Sequence, residues 1–279
     1  MLISVATILT FAFLIFLGNS WLQTTTYEVQ SPRLPASFDG YCIVQVSDLH
    51  KQHFGKHQFW LLSIIRKARP DLIVITGDLT YLGSWDPREI EDLSTKLGAV
   101  APVCFVSGNH DVISGDLPKL LEHLARLGVR TLEGESITVR RGIESITVAG
   151  VPDPRAFHQH GGKGRTVDRW KSALAALRQG LGDRYTVLLS HRPEYFGQYA
   201  SLGFDLVLAG HAHGGQIRIP LVGALYAPGQ GWLPRYTSGT HVRGQTRMIV
   251  SRGLGNSWFR IRVFNRPELV VVRLRKSTD

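Results

Sequence analysis

From Gly40 onward, short apolar runs rich in β-branched residues alternate with stretches whose apolar positions recur at helical spacing. The runs predict strands at Tyr41–Ser47, Leu72–Thr76, Val103–Ser107, Ser136–Arg140, Ser145–Ala149, Tyr185–Ser190, Leu206–Ala209, Arg247–Val250 and Leu269–Leu274. The helical stretches predict His57–Ala68, Pro87–Leu97, Leu117–Leu127 and Val167–Arg178. Arg141-Gly142-Ile143-Glu144 reads as the turn of a hairpin between the fourth and fifth runs. Strands alternating with helices specify an α/β fold, in which functional groups gather at strand-to-loop junctions.

The N-terminal segment follows another pattern. No charged side chain precedes Glu28, and Leu2–Leu22 is almost wholly apolar. A helix of that length covers about 31 Å, against a hydrocarbon core of about 30 Å. Trp21 and Tyr27 would then sit near an interface. A cleaved signal peptide is the rival reading, with Gly18 and Ser20 as small residues before the cut. The absence of Lys and Arg ahead of the apolar run argues against it. The expected organisation is a transmembrane anchor over residues 1–25, an extended linker over 26–40 and a catalytic domain over 41–279. Arg33 is the first basic side chain after the span, so the positive-inside rule puts the catalytic domain on the cytoplasmic side of a single-pass protein.

Composition refines this picture in two ways. Hydrophobic residues make up 43% of the 279, which excludes disorder as the main state. Two cysteines exclude a disulfide scaffold and a thiolate zinc finger, and Cys42 and Cys104 lie in apolar runs as expected of buried free thiols. The net charge of +10 is local: residues 206–276 hold eleven basic residues and one acid, Glu268. Such a face suits a polyanionic partner: nucleic acid, an anionic membrane surface or a phosphorylated substrate. Aromatic residues interleave with it (Tyr226, Trp232, Tyr236, Trp258, Phe259, Phe264). The plain reading is solvated strand faces around a core, with membrane contact next and nucleic acid last, because no nucleic-acid-binding motif accompanies the charge.

Five predicted strands end in chemically capable residues: Asp48 and His50; Asp78; Asn109, His110 and Asp111; His191; and His211 with His213. Singly, each is an ordinary turn or capping residue. Their shared position directly after strands lets them converge at one sheet edge. Asp, His and Asn without cysteine form nitrogen and oxygen sites for divalent ions, and this many candidate ligands exceed one tetrahedral zinc. They fit a pair of ions clamping a phosphoryl group, with one bridging carboxylate. Asp78 is the candidate bridge because its strand is expected to be central.

These motifs, with Gly210-His211-Ala212-His213-Gly214-Gly215-Gln216, Arg218-Ile219-Pro220, Arg252-Gly253-Leu254-Gly255 and Arg266-Pro267-Glu268, resemble the calcineurin-like metallophosphoesterases. The likeness is to their small bacterial branch with an N-terminal export signal or anchor, and it spans about residues 40–274. It implies a four-layer αββα sandwich. It also implies two divalent ions, manganese first, with iron, zinc or magnesium as alternatives. By the same resemblance Asp48, His50 and His213 hold one ion, Asn109, His191 and His211 the other, and Asp78 bridges. His110 stabilises the transition state or protonates the leaving oxygen, and Asp111 orients it.

The implied reaction is hydrolysis, by metal-activated hydroxide, of a phosphodiester or pyrophosphate bond in a small or lipid-linked substrate. UDP-2,3-diacylglucosamine diphosphatase activity in lipid A biosynthesis is the sharper alternative, and a metal-dependent nuclease another. A metal-free scaffold on the same fold is disfavoured by the intact ligand set. The resemblance places the chain at the bacterial inner membrane. The sequence departs from the pattern at Lys51-Gln52, where Leu-Gly is common. Gly77-Asp78-Leu79-Thr80 lacks the continuation seen in serine/threonine protein phosphatases, which disfavours a phosphoprotein substrate. The basic segment 155–165, containing His158 and His160, reads as a solvated loop or a substrate-contacting lid. His53, His57, His123 and His241 are expected at surface or capping positions.

Overall fold

Alternation within the apolar runs decides the layering. In β2 (Cys42–Val46) and β3 (Leu72–Thr76), Val44, Val46, Ile73 and Ile75 face one way, and Ile43, Leu72 and Val74 the other. The first set packs on α1 (Phe59–Ala68), α2 (Pro87–Gly98) and a further helix, Leu117–Arg126, through Leu61, Ile65, Leu93, Leu97, Leu120 and Leu124. The second set meets a second sheet. There Val187 and Leu189 of β8 (Thr186–Leu189) and Leu206 and Leu208 of β9 (Leu206–Ala209) point inward. Leu188 and Val207 point outward, onto Trp170, Leu174, Phe196 and Tyr199 of the helices Gly162–Gln179 and Phe196–Ser201. Strands buried on both faces read as continuous apolar runs for this reason. The result is helix, sheet, sheet, helix: the α/β class that the sequence pattern specifies, in the four layers that the family resemblance implies.

The computed structural model describes residues 7, 9–10, 13, 15–16, 18–82, 84–113, 115–158, 162–256 and 261–278. The remaining sheet strands are β1 (Gln23–Ser31), β4 (Val103–Val106), β5 (Arg130–Thr131), β6 (Ser136–Arg141), β7 (Glu144–Gly150), β14 (Gly239–Arg243), β15 (Thr246–Val250) and β16 (Glu268–Lys276). The first sheet runs β1-β16-β2-β3-β4-β5 and the second β14-β15-β9-β8-β7-β6. Strands β2 to β5 are mutually parallel, as are β7, β8, β9 and β15, so each sheet sends a row of C-terminal strand ends to one edge. The β6–β7 hairpin forms as expected. Between β9 and β14 lie two ribbons, β10 (Arg218–Ile219) with β11 (Gly223–Ala224) and β12 (Tyr226–Ala227) with β13 (Gly231–Trp232).

Two boundaries differ from expectation. Residues 26–40 are not a linker: Gln23–Ser31 pairs in parallel with β16 along its whole length, from Gln23 opposite Glu268 to Ser31 opposite Lys276. Leu34 and Phe38 are then fully buried between the sheets. The cause is alternation in a Thr-rich edge strand, whose Tyr27 and Val29 pack inward while polar residues face out. Residues 162–165, read as loop, open the helix Gly162–Gln179, because buried Trp170 and Leu174 tie that helix to the sheet. Of the anchor expected over residues 1–25, residues 1–6, 8, 11–12, 14 and 17 lie outside the described residues, as do His160, Trp258 and Phe259, and its last three positions, Gln23 to Thr25, belong to β1 instead. Among the described residues no helix is long and apolar enough to cross a membrane.

Candidate metal centre

The site forms where the C-terminal strand ends of both sheets meet. Asp48 and His50 follow β2, Asp78 follows β3, and Asn109 and His110 open α3 (Asn109–Ile113) after β4, all in the first sheet. His191 follows β8, and His211 and His213 follow β9, in the second. The sequence pattern places these residues at one edge of one sheet; the structure draws them from two. Buried Gln45 of β2 couples the sheets just below the site, donating to Thr76 Oγ1 and to the Ala209 carbonyl, 2.9 Å each.

Five of these residues, Asp48, His50, Asp78, His211 and His213, take positive φ between 48° and 66°. Non-glycine residues adopt this region at a cost, and such strain gathers at functional sites. The sharp turns aim consecutive side chains inward. Glycine allows the loops to close: a Cβ on Gly108 would lie 2.2 Å from Asp78 Oδ1, and one on Gly210 would lie 2.0 Å from Ser47 Oγ.

Seven candidate ligands converge, every one of them buried. Asp48, His50, Asp78 and His213 form one group and Asp78, His191 and His211 another, each with ligand atoms within 4.8 Å of one another. Asp78 belongs to both. Its Oδ1 accepts from His110 N at 2.7 Å, while Oδ2 lies 3.3 Å from His191 Nε2 and 3.8 Å from His50 Nε2. His213 Nε2 lies 3.4 Å from Asp48 Oδ1 and 3.3 Å from His50 Nε2. Asn109 joins the cavity wall beside Asp78 and His211. Backbone carbonyls fix two of the rings: Thr80 O meets His50 Nδ1 at 3.0 Å, and Thr76 O meets His191 Nδ1 at 2.8 Å. That leaves each Nε2 for a ligand.

The electrostatics match a cation site. Burial lowers His50 to about 4 and, with Arg192 and His50 respectively as next contributors, drives His211 and His213 well below the usual imidazole range. All three are therefore neutral, the ligand form. Burial raises Asp48 to about 6. Burial also opposes ionisation of Asp78, but His191, then His50 and His110, outweigh it and hold the carboxyl well below its ordinary value. Asp78 Oδ2, Asn109 Oδ1, His191 Nε2 and His213 Nδ1 are buried without hydrogen-bond partners. Orphaned atoms of this kind are costly unless something ligates them. Burial opposes the charge on His191, but the Asp78 and Asp48 carboxylates raise it to about 10, so this imidazole sheds its proton when an ion binds. Imidazoles, carboxylates and an amide oxygen, with no thiolate, fit divalent ions.

His110 and Asp111 differ from one another in place. His110 lines a cavity of about 280 Å³ with Asp78, Asn109, His211 and His213. Its ring stacks on Tyr81, and Nδ1 accepts from Leu82 N at 3.3 Å. The Asp111 carboxylate accepts from Thr80 N (2.8 Å) and Gly108 N (2.9 Å), bracing the loops that carry Asp78 and Asn109. Burial and then the Asp78 charge push it up to about 7.

Arg192 and Asp153 were not singled out as site residues by the sequence pattern, and Arg155 only as the first residue of the basic segment 155–165. The Arg192 guanidinium is nearly buried; Nε and Nη2 meet Asp153 at 2.5 and 3.2 Å, and Nη1 lies 2.7 Å from His211 Nε2. Arg155 lines the same cavity. The available signal was position: Arg192 adjoins His191, and Asp153 follows β7 as the other candidates follow their strands. His53 and His57 lie near Glu89 and Asp92, and His123 and His241 meet the carbonyls of Pro87 and Ser238, all away from the cavity. Cys42 and Cys104 are buried free thiols.

Residues 42–215 match the family of calcineurin-like phosphoesterases. The phosphodiesterase YaeI of Escherichia coli is 30% identical over 240 residues, 83% of this chain and 81% of that protein. The uncharacterized metallophosphoesterase YkuE of Bacillus subtilis is 29% identical over 274 residues, 95% of this chain and 89% of its own length. Among solved structures, a dimetal phosphatase from Danio rerio superposes with a TM-score of 0.50 at 11% identity, covering 77% of this chain and 88% of that one. At that identity the likeness shows the fold alone.

Proposed function

The chain belongs to the calcineurin-like phosphoesterases, metal-dependent hydrolases of phosphoric esters, and from that premise we propose that it cleaves a phosphodiester or pyrophosphate bond in a small or lipid-linked substrate. One observation carries the reading: two buried donor groups share a single carboxylate, Asp78. Asp48, His50 and His213 would hold one divalent ion, Asn109, His191 and His211 the second, and Asp78 both. Bound there, two such ions supply Lewis-acid polarisation of a phosphoryl oxygen and an acidified water as nucleophile.

The remaining steps fall to the protein. Because His110 Nδ1 accepts from Leu82 N, the neutral ring carries its proton on Nε2, the atom able to donate to a leaving oxygen. Arg192, held by Asp153, and Arg155 supply guanidinium donors at the cavity wall for non-bridging phosphoryl oxygens. Asp111 keeps the Asp78 and Asn109 loops in register.

Diester cleavage is favoured by the name of the Escherichia coli relative, a phosphodiesterase. The uncharged N-terminal segment favours a lipid-linked substrate and single-pass attachment to the inner membrane, the catalytic domain on the cytoplasmic side. UDP-2,3-diacylglucosamine is the specific compound to test. The deciding experiment is hydrolysis by the purified, manganese-loaded chain of bis(p-nitrophenyl) phosphate, p-nitrophenyl phosphate and UDP-2,3-diacylglucosamine, beside the Asp78→Ala variant. Turnover of a diester or pyrophosphate that Asp78→Ala abolishes supports the reading; equal turnover in both proteins overturns it.

A further inference from the structure

The ribbons between β9 and β14 carry large apolar side chains that nothing in the described structure covers. Leu221 is fully exposed, Trp232 77% and Leu233 70%, and Val222 and Phe264 are likewise solvent-facing. Single exposed apolar residues are ordinary, but contiguous ones mark a contact surface. These are contiguous. Arg218 N donates to Val263 O, Leu225 N to Ile217 O, and Leu233 N to Leu225 O, joining both ribbons and the 263–264 turn into one face.

Backbone conformation adds an independent argument. Leu221, Leu233 and Phe264 all have positive φ, 70°, 49° and 51°. Turns that require this region ordinarily take glycine or asparagine, so bulky apolar residues there carry strain. Solubility alone would select the polar, unstrained alternatives. The strain is retained where it projects an apolar side chain into solvent.

The surroundings indicate what covers the face. The end of the uncharged N-terminal segment is fastened beside it. Asn19 Oδ1 accepts from Arg262 N and from Asn256 Nδ2, and Trp21 lies under the Arg266 guanidinium at 4.5 Å. Arg235, exposed, follows Leu233 by two residues. The one acid of residues 206–276, Glu268, is buried and paired with Arg252. Apolar tips fringed by arginine and adjoining an uncharged helical segment match the interfacial zone of an anionic bilayer, where arginine meets headgroups and Trp, Leu and Phe enter the acyl boundary.

We propose that this face, formed by residues 217–233 and 263–264, seats in the surface of an anionic phospholipid bilayer. Pro228 and Gly229, in the loop joining β12 to β13, also wall the cavity with His211 and His213. Seating therefore brings the cavity mouth to headgroup level. That consequence rests on the proposed function, whereas the seating itself needs no activity and is tested without it.

The test places an environment-sensitive NBD label at Leu221→Cys in the full chain, leaving buried Cys42 and Cys104 intact. A control label goes at Ile143→Cys, fully exposed in the β6–β7 turn at the sheet edge opposite β14. Both proteins are mixed with vesicles of phosphatidylcholine containing phosphatidylglycerol. The Leu221 label is expected to shift to the blue, brighten several-fold and be quenched by doxyl-labelled lipid, with a weaker response on phosphatidylcholine alone; the Ile143 label is expected to do none of these. Equal behaviour of the two labels overturns the proposal, as does an equal response to neutral vesicles. A concentration-dependent shift without lipid overturns it in favour of a second copy of the chain.

Discussion

Gly108→Ala alters no candidate ligand, yet the structure requires it to disable the site. A Cβ at position 108 would stand 2.2 Å from Asp78 Oδ1 and 2.4 Å from Asp78 N. Ordinary contact begins near 3.4 Å, so the Asp78 backbone must retreat by about 1 Å. That movement also breaks the 2.7 Å bond from His110 N to Asp78 Oδ1. Forcing a methyl into a packed interior costs about 1–3 kcal/mol of stability, and a displacement of about 1 Å at a reacting centre costs about 100-fold in rate. Gly98→Ala is the control: nothing lies within 4 Å of its Cβ, and the substitution should leave turnover unchanged. Manganese-dependent hydrolysis of bis(p-nitrophenyl) phosphate and urea melts report both quantities. If Gly108→Ala turns over within a few-fold of wild type, Asp78 is not the shared carboxylate of a tightly set centre.

His110→Ala should lower turnover by about 10²–10⁴-fold with metal content unchanged, measured by steady-state kinetics and elemental analysis of the same sample; loss of metal in parallel would make His110 a ligand. Arg192→Ala leaves Asp153, 1% exposed, without its guanidinium, and should cost about 3–5 kcal/mol in chemical denaturation. Asp111→Asn should weaken manganese binding through the displaced Asp78 loop while leaving any His110-dependent pH profile in place, read by titration and a pH–rate series.

Most of the fold was legible because burial on both faces leaves an unmistakable trace. Leu72 to Ile75 and Leu206–Ala209 are unbroken apolar runs, and the hairpin turn at 141–144 contains glycine. Strand β1 escaped detection because an edge strand with Gln, Thr and Glu on its solvent side resembles an extended linker until its partner, β16, 245 positions away, is known. The two-residue strands of the ribbons are too short to show any period, and glycine and proline punctuate the sequence around them. At the site, residues directly following strands were readable, since a parallel sheet delivers them to one edge. That two sheets share the task, that Asp111 braces loops, and that Arg192 pairs with Asp153 across 39 positions are facts of packing, which no local pattern carries.

The account's central claim is a pair of divalent ions sharing Asp78, and metal stoichiometry measured beside hydrolysis tests it most directly. The wild-type chain should bind two equivalents of manganese, lose diester hydrolysis on exhaustive chelation and regain it on adding manganese back, while Asp78→Ala regains none. Hydrolysis that persists after chelation, or Asp78→Ala protein with wild-type stoichiometry and turnover, would contradict the account.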